Sequence, residues 1–573
     1  MSRVHTMTEA SVKHATRCRF GLWALALAGV SAVSIASAPA SAQFTADPTD
    51  ALISGPTRVH PAVWSILHDR QERVHAWVFL TDKDVADVGS ALVELEATYP
   101  ARALARRSLR RTDPGLVDER DLPVAASYES AIRAVCPEVR ATSRWLNAVS
   151  VSASREQIAR LAELPFVRWV QPVRQGPATE PVSLEVEPPA TYSDRDFYGR
   201  SSTQLAQIGL SNLHAMGFTA QGVVVGILDT GFRYDHAAFN QAGHPLQILA
   251  ERDFIFDDNV TTDEAGDEPG QHGHGTLILG CIASYFPNEL VGGAYDASVI
   301  LCKTEDIRSE TPAEEDYYVE ALEFIELHGG DLATSSLSYS DWYTQANMNG
   351  VTAVTSIAVN IATSNGVHCC TAAGNAGNDA DPQTSRLGAP ADALAVITCG
   401  AVDIDGLTAS FSSDGPTADG RLKPEVLARG VGTRTVATGN TTQFASASGT
   451  SLSTPLLAAA VACLVQAHPD WTAAQMRAAL FATASDQVAN GQPDPLFVRG
   501  HGVINAAAAA VPLCDADVNQ DGNVDQDDVG YLINVVGGGE NATGIDPDFN
   551  HDGNTDQDDI AALIGVVAGG DCP

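Results

Sequence analysis

Three polar residues stand where nucleophilic catalysis would need them. Asp229 follows the apolar run Val223–Leu228 in GILDTGF, His274 lies in HGHGTLILG, and Ser451 lies in SGTSLSTP at the head of an Ala- and Leu-rich stretch. A hydroxyl is a poor nucleophile until a base takes its proton, and an imidazole can do so near neutral pH. A buried carboxylate then fixes the imidazole tautomer and stabilises the imidazolium that forms. Asp, His and Ser in that chain order is one of three orders in which such a triad recurs on unrelated folds.

The surrounding pattern supplies elements to hold these groups. From Tyr198 to about Pro512, buried-strand runs (Val223–Leu228, Val299–Lys303, Leu332–Leu337, Gly366–Ala372, Ala395–Ala401) alternate with amphipathic stretches. One stretch, Pro312–His328, is opened by a Thr311-x-x-Glu314 box and closed by Gly329-Gly330. The alternation predicts an α/β fold, a parallel sheet with helices on both faces, with reacting groups at the carboxyl ends of the strands. Ahead of it, Leu146–Val173 reads strand, helix, strand, with Ser154 and Gln157 forming a capping box and Pro165 ending the helix. Residues 43–70 and 174–196 read as exposed linkers, the second rich in Pro, Glu and Thr and suited to proteolytic cutting. The pairs Arg106-Arg107 and Arg110-Arg111 read as a solvated helix face.

The termini differ from this. Lys13, Arg17 and Arg19 precede the apolar run Phe20–Ala36, and Ala40-Ser41-Ala42 then offers small residues for cleavage, the layout of a secretory signal peptide. No later stretch approaches a membrane span, so the mature chain is expected to have none. Residues 1–200 balance 23 basic against 23 acidic residues, whereas 201–573 hold 11 against 48. So acidic a region repels phosphate backbones and argues against nucleic-acid binding. Cys302, Cys369, Cys370 and Cys399 sit in apolar runs as small hydrophobes, while Cys514 and Cys572 bracket the last module and could bridge.

All three motifs match the subtilisin-like serine proteases (subtilases) residue by residue, and Tyr198–Ala510 resembles that family. The resemblance implies a serine endopeptidase with Asp229 as acid, His274 and not His272 as base, and Ser451 as nucleophile. VHCCTAAGNAGN places Asn375 where the family keeps its oxyanion-hole asparagine. Ser336-Leu337-Ser338 matches the segment that pairs with extended substrate, and Ala372-Ala373-Gly374 one wall of the pocket before the scissile bond. Ser338 stands where the family usually has Gly, so a side chain narrows the cleft there. The Leu146–Val173 pattern resembles the inhibitor-like propeptides of the same family, which implies autocatalytic removal and a propeptide acting as the enzyme's own inhibitor.

The string DVNQDGNVDQDD recurs 31 residues later as DFNHDGNTDQDD, within a tail of 14 acids and no Lys or Arg over residues 514–573. Each has the spacing of an EF-hand loop, with Gly at position 6 and Asp instead of Glu at position 12. The candidate Ca²⁺ ligands are Asp517, Asn519, Asp521, Asn523, Asp525 and Asp528, then Asp548, Asn550, Asp552, Asn554, Asp556 and Asp559. A helix-like run follows each loop, Val529–Val536 and Ile560–Val567. The pair resembles a dockerin-type calcium-binding repeat, which implies a small EF-hand-like helical module and a cohesin-like or cell-surface partner, or a purely structural cap. The expected organisation is a signal peptide at 1–42, propeptide and linker at 43–190, catalytic domain at 191–512 and calcium module at 513–573. The expected protein is a secreted or cell-surface endopeptidase acting on protein or peptide substrates; the alternative is an inactive subtilase scaffold serving calcium-dependent adhesion or assembly.

Overall fold

Period-two alternation of valines and serines builds the first sheet. In the computed structural model, which describes residues 58–68, 72–173, 183–187, 196–308, 314–339, 343–379, 381–511, 516–521, 523–543, 545, 547–549 and 555–568, strands β1 (Arg73–Leu80), β2 (Val139–Ser143), β3 (Ala148–Ser154) and β4 (Val167–Pro172) pair antiparallel in the order β2-β3-β1-β4. Helix α1 (Ala101–Arg110) and helix α2 (Arg155–Glu163) accompany it, and α2 carries the expected reciprocal Ser154–Gln157 box. Residues 58–68 are not linker. Val59 bridges to Val170, and the helix Pro61–His68 buries Val63 in the core of this N-terminal module.

The following segment holds a second departure. Within the stretch read as linker, β5 (Ser183–Glu187) pairs antiparallel with a later strand taken up below, while 174–182 and 188–195 lie outside the described residues.

The central sheet comprises β6 (Val224–Asp229), β7 (Gln247–Asp253), β8 (Ser298–Lys303), β9 (Leu332–Ser335), β10 (His368–Ala372), β11 (Ile397–Val402) and β12 (Val426–Arg429). Its order is β12-β11-β10-β9-β6-β8-β7, parallel throughout, as expected of a sheet that both faces bury. Alternate residues feed two cores. Val225 and Ile227 of β6 join one cluster with helices α3 (Gly273–Ala283) and α6 (Thr450–Ala467); Val224 and Leu228 join another with α4 (Glu315–Leu327) and α5 (Val354–Ser364). Helix α6 is, among the described residues, the one helix long and apolar enough to cross a membrane, but it is buried in the core. Cys302, Cys369, Cys370 and Cys399 are buried thiols, as read; Cys514 and Cys572 lie outside the described residues.

Helix α4 starts later than its pattern suggests. Glu314 occupies the cap without a side-chain cap bond, and its carboxylate accepts from the Asp306 amide at 2.9 Å; Thr311 lies outside the described residues. After β12 the chain forms the hairpin β13 (Thr433–Val436) and β14 (Phe444–Ser448), and β5 adds to the free edge of β14. The tail ends in α7 (Gln526–Val536) and α8 (Gln557–Val567), which share a small core of Leu532, Phe549 and Leu563.

The arginines of α1 overturn the reading of a solvated face. Arg106, Arg107 and Arg110 are buried against the catalytic-motif region, where their partners lie far away in sequence. Arg107 donates to Glu326 at 2.9 Å and forks onto Asp121 at 2.7 Å; Arg106 pairs with Glu326 and donates to the Gly330 carbonyl at 2.9 Å; Arg110 meets Asp331 at 2.5 Å. Asp316, Glu323 and Glu326 recur along one face of α4, so the same helix also takes Arg140 at 2.8 Å and Ser143 at 2.5 Å.

Candidate active site

The D-T-G and H-G-T strings are explained by one close contact between strand end and helix start. Asp229 ends β6 fully buried, and its Oδ1 accepts from the Thr230 amide at 2.8 Å and from His274 Nδ1 at 2.7 Å. Thr230 Oγ1 accepts from the Gly275 amide at 3.2 Å, and Thr276 Oγ1 from the Arg233 amide at 2.8 Å. A Cβ at Gly275 would fall 2.2 Å from the Gly231 carbonyl oxygen and 3.0 Å from Asp229 Cβ. Only glycine lets the helix approach closely enough for His274 to reach Asp229. With Nδ1 held by the carboxylate, Nε2 is the nitrogen that can accept a hydroxyl proton. His272 stands at the helix cap and is paired with Asp263 at 2.5 Å, so of the two histidines only His274 meets Asp229.

Ser451 is the second residue of α6 and fully buried. Gly449 before it has φ +149°, a conformation that favours glycine and turns the strand β14 into the helix. Ser451 Oγ donates to the Ser336 carbonyl at 3.4 Å, and Ser336 Oγ donates back to the Ser451 carbonyl at 2.9 Å. Asn375 adjoins the same turn. Its Oδ1 accepts from the amide and hydroxyl of Thr450, both at 2.9 Å, which aims Nδ2 the other way without a hydrogen-bond partner. A donor so placed, beside the first amides of a long helix, suits an oxygen that gains negative charge.

The expected substrate segments line this site. β9 ends at Ser335, so Ser336-Leu337-Ser338 emerges beyond the sheet, with Ser336 and Leu337 buried and Ser338 half-buried. Ala372 ends β10, Ala373 is buried, and a Cβ at Gly374 would lie 3.8 Å from Ser338 Oγ. The Ser338 side chain therefore faces Gly374.

Two features behind the site have no signature in the sequence. Glu305, two residues beyond β8, accepts from Tyr339 at 2.5 Å and faces Glu314. Burial, more than the hydrogen bonds that oppose it, pushes the Glu305 carboxyl up to about 7, and burial together with Glu305 raises Glu314 well above the carboxylate range. Both are buried, so one proton is shared in a site that cannot hold two charges. The folded state holds this proton at pH values where the unfolded carboxyl, at 4.5, has lost it, so stability falls as pH rises from about 4.5 through about 7. Glu305→Gln keeps an acceptor for Tyr339 and removes the charge. It is expected to raise the melting temperature at pH 8 and to leave it unchanged at pH 4. A variant less stable at pH 8 would contradict the shared proton.

The other feature is an acidic group next to β8. Asp253, Asp258 and Glu264 bring oxygens within 4.8 Å of one another, a donor set of the type hard cations take. Lys303, which pairs in register with Asp229 across β8 and β6, supplies part of the counter-charge through Asp253 at 2.7 Å and Asp267 at 2.8 Å. In the tail, Asp517 and Asn519 both accept from the Asp521 amide, at 3.1 and 2.9 Å, and buried Asp528 accepts from the Asn519 and Asp525 amides. Loop oxygens at positions 1 and 3 thus converge on one amide, and Asp525 and Asp556 each cap the helix that follows. Asn523 is described and donates to Asp521 at 3.0 Å; Asp548 and Asp559 are described, whereas Asn550, Asp552 and Asn554 lie outside the described residues.

Residues 220–502 match the Subtilase family, and residues 75–183 match the Peptidase S8 propeptide domain of Bacteroidota. Subtilisin E of Bacillus subtilis (strain 168) is 30% identical over 335 residues, which cover 57% of this chain and 77% of that protein. Subtilisin of Bacillus pumilus is 30% identical over 308 residues, covering 53% and 97%. Among solved structures, fervidolysin from Fervidobacterium pennivorans, a keratinolytic enzyme related to subtilisin, superposes with a TM-score of 0.52 at 20% identity over 76% of this chain and 61% of that one, a likeness of fold. With its parallel seven-stranded sheet and an S8-type propeptide ahead of it, the chain belongs to the subtilase family of serine endopeptidases.

Proposed function

We propose that this chain is an exported endopeptidase that cuts peptide bonds in proteins through an acyl-enzyme on Ser451. The observation that carries this reading is the His274–Asp229 bond of 2.7 Å, together with a serine that opens a long helix whose first residue, Thr450, is bound by Asn375. His274 takes the Ser451 proton as the hydroxyl attacks the scissile carbonyl, and Asp229 stabilises the imidazolium. The Asn375 Nδ2 and the Ser451 amide hold the oxyanion; His274 then protonates the leaving amine, and water releases the acyl group. Substrate extends along Ser336-Leu337-Ser338, with Ala372-Ala373-Gly374 opposite. The test is hydrolysis of casein and cutting of the precursor within 174–196 by the secreted protein. A protein that performs neither would overturn the assignment.

Asn375→Ala is expected to lower kcat by about 10²–10³-fold with KM little changed, because the lost donor acts on charge present only in the transition state. The magnitude, roughly 2.7–4 kcal/mol, is that known for the corresponding donor in subtilisin. Steady-state kinetics on a peptide anilide check it, and a change confined to KM would contradict it.

The proposed organisation is a signal peptide over 1–42, propeptide and linker over 43–190, catalytic domain over 191–512 and a dockerin-type module over 513–573. The loop ligands of that module, from Asp517 to Asp528 and from Asp548 to Asp559, would hold Ca²⁺, which neutralises carboxylates that otherwise repel. Its partner would be cohesin-like or a cell-surface component. Chelation with EGTA is expected to remove the helical signal of the isolated tail while the full-length enzyme keeps its activity on a short anilide. A tail whose circular dichroism ignores chelation would contradict the calcium reading.

A further inference from the structure

Strand β5 comes from the stretch between propeptide and catalytic domain, yet it is paired with the strand that leads into the nucleophile. The register sets Ser183 opposite Ser448, Leu184 opposite Ala447, Glu185 opposite Ser446, Val186 opposite Ala445 and Glu187 opposite Phe444. Ser448 lies three residues before Ser451, so β5 begins beside the nucleophile and runs away from it toward its own C-terminus. A substrate passes a nucleophile with its acyl portion on the N-terminal side and its leaving portion on the C-terminal side. β5 therefore has the polarity and place of a leaving portion. The other edge of β14 is taken by β13, so β5 covers the only edge of this hairpin strand that another peptide could use.

We propose that Ser183–Glu187 is a built-in occupant of the leaving-group side of the cleft, competing there with the residues that follow the scissile bond in a protein substrate. This rests on the endopeptidase reading above. The ligand class for the β14 edge is an extended peptide of about five residues, held chiefly by main-chain hydrogen bonds as an added strand. Leu184 is 44% exposed and Val186 56%, so the occupant buries little apolar surface and is displaceable. It is also tethered. Residue 196, where the described catalytic chain resumes, is nine positions beyond Glu187, and a tether of that length keeps the strand at high local concentration. Because β5 lies on the C-terminal side of the nucleophile, a cut on its N-terminal side leaves it attached to the catalytic domain. Removal of the N-terminal module then opens the acyl side of the cleft and leaves the leaving side covered. Short substrates and long ones are thereby treated differently.

The test compares mature wild type with Glu185→Pro and Val186→Pro. In an antiparallel pair alternate amides donate across the ladder, so one of two adjacent prolines removes a cross-strand bond. Two substrates share the same acyl portion: an anilide with nothing beyond the scissile bond, and a peptide with five further residues. The expected result is a rise of about tenfold in kcat/KM for the long peptide in at least one variant, with the anilide unchanged. Amide hydrogen exchange over Phe444–Ser448 should accelerate in that variant when no substrate is present. The inference is overturned if the long peptide is unaffected in both variants, if both substrates change equally, or if the 444–448 amides already exchange freely in the mature wild type. Wild type that hydrolyses neither substrate sinks the endopeptidase reading, and this inference with it.

Discussion

A Ser451→Ala chain is expected to be exported as an uncut precursor and to hydrolyse casein about 10⁶-fold more slowly than wild type, the loss known for the corresponding serine of subtilisin. The expectation follows from the site's economy of parts. Ser451 Oγ sits at the head of α6 and at the Ser336 carbonyl, and its removal takes away the oxygen that His274 is proposed to activate. Alanine at this buried position omits one oxygen and leaves the helix start, Gly449 and the Asn375–Thr450 bonds in place, so the variant should fold. Immunoblotting of the secreted protein checks the processing, and residual casein hydrolysis checks the chemistry. A variant cut at the wild-type rate by its own activity would contradict the assignment.

Glu326→Ala is expected to weaken the hold of the propeptide on the catalytic domain by about 10²–10³-fold. Glu326 is the common acceptor for Arg106, Arg107, Arg144 and the Tyr99 hydroxyl, all from the propeptide side. Burial pushes its carboxyl up, but Arg106 and Arg107 outweigh burial and hold it below the usual range, so it is ionised in the complex. Removing one partner of a buried pair costs about 3–5 kcal/mol, because the opposite charges are left buried without compensation. The measurement is the rate at which activity returns when the cut complex is diluted. Release no faster than wild type would contradict the role given to this network. Acid should act in the same direction. Against burial, Arg106 and Arg107 hold Glu326 below its ordinary 4.5 and leave it when the propeptide departs, so the separated parts bind more protons than the complex as pH falls through about 4.5, and affinity should decline there.

The arginines of α1 show where sequence reading reached its limit. Each is paired with a group more than two hundred residues away, Arg107 with Glu326 and Arg110 with Asp331 among them, so composition alone makes the helix look solvated. The same limit applies to Glu305 and Glu314, since nothing local distinguishes an acid that will be buried from one that will face water. β5 was hidden differently: its flanks are rich in proline and its apolar face is two half-exposed residues long, Leu184 and Val186, because pairing with β14 holds it. By contrast the contact of His274 with Asp229 was legible because the two motifs encode their own geometry. Thr230, Gly231 and Gly275 are read as letters of short strings, and in the fold they are the contacts that bring His274 onto Asp229. Strand positions were legible for a related reason. The two-faced burial of β6 and β8 demands continuous apolar runs, and their ends shifted by one residue, whereas β7 and β12 were not read as strands.

Peptide-bond hydrolysis by this chain requires Ser451 to be the activated nucleophile. The most direct measurement is reaction of the mature protein with a fluorophosphonate, followed by peptide mass mapping. The prediction is one phosphonyl adduct per chain, on the peptide containing Ser451, formed rapidly in wild type and lost in His274→Ala. An unlabelled Ser451 in a protein that still hydrolyses casein, or an adduct on a different serine, would contradict it.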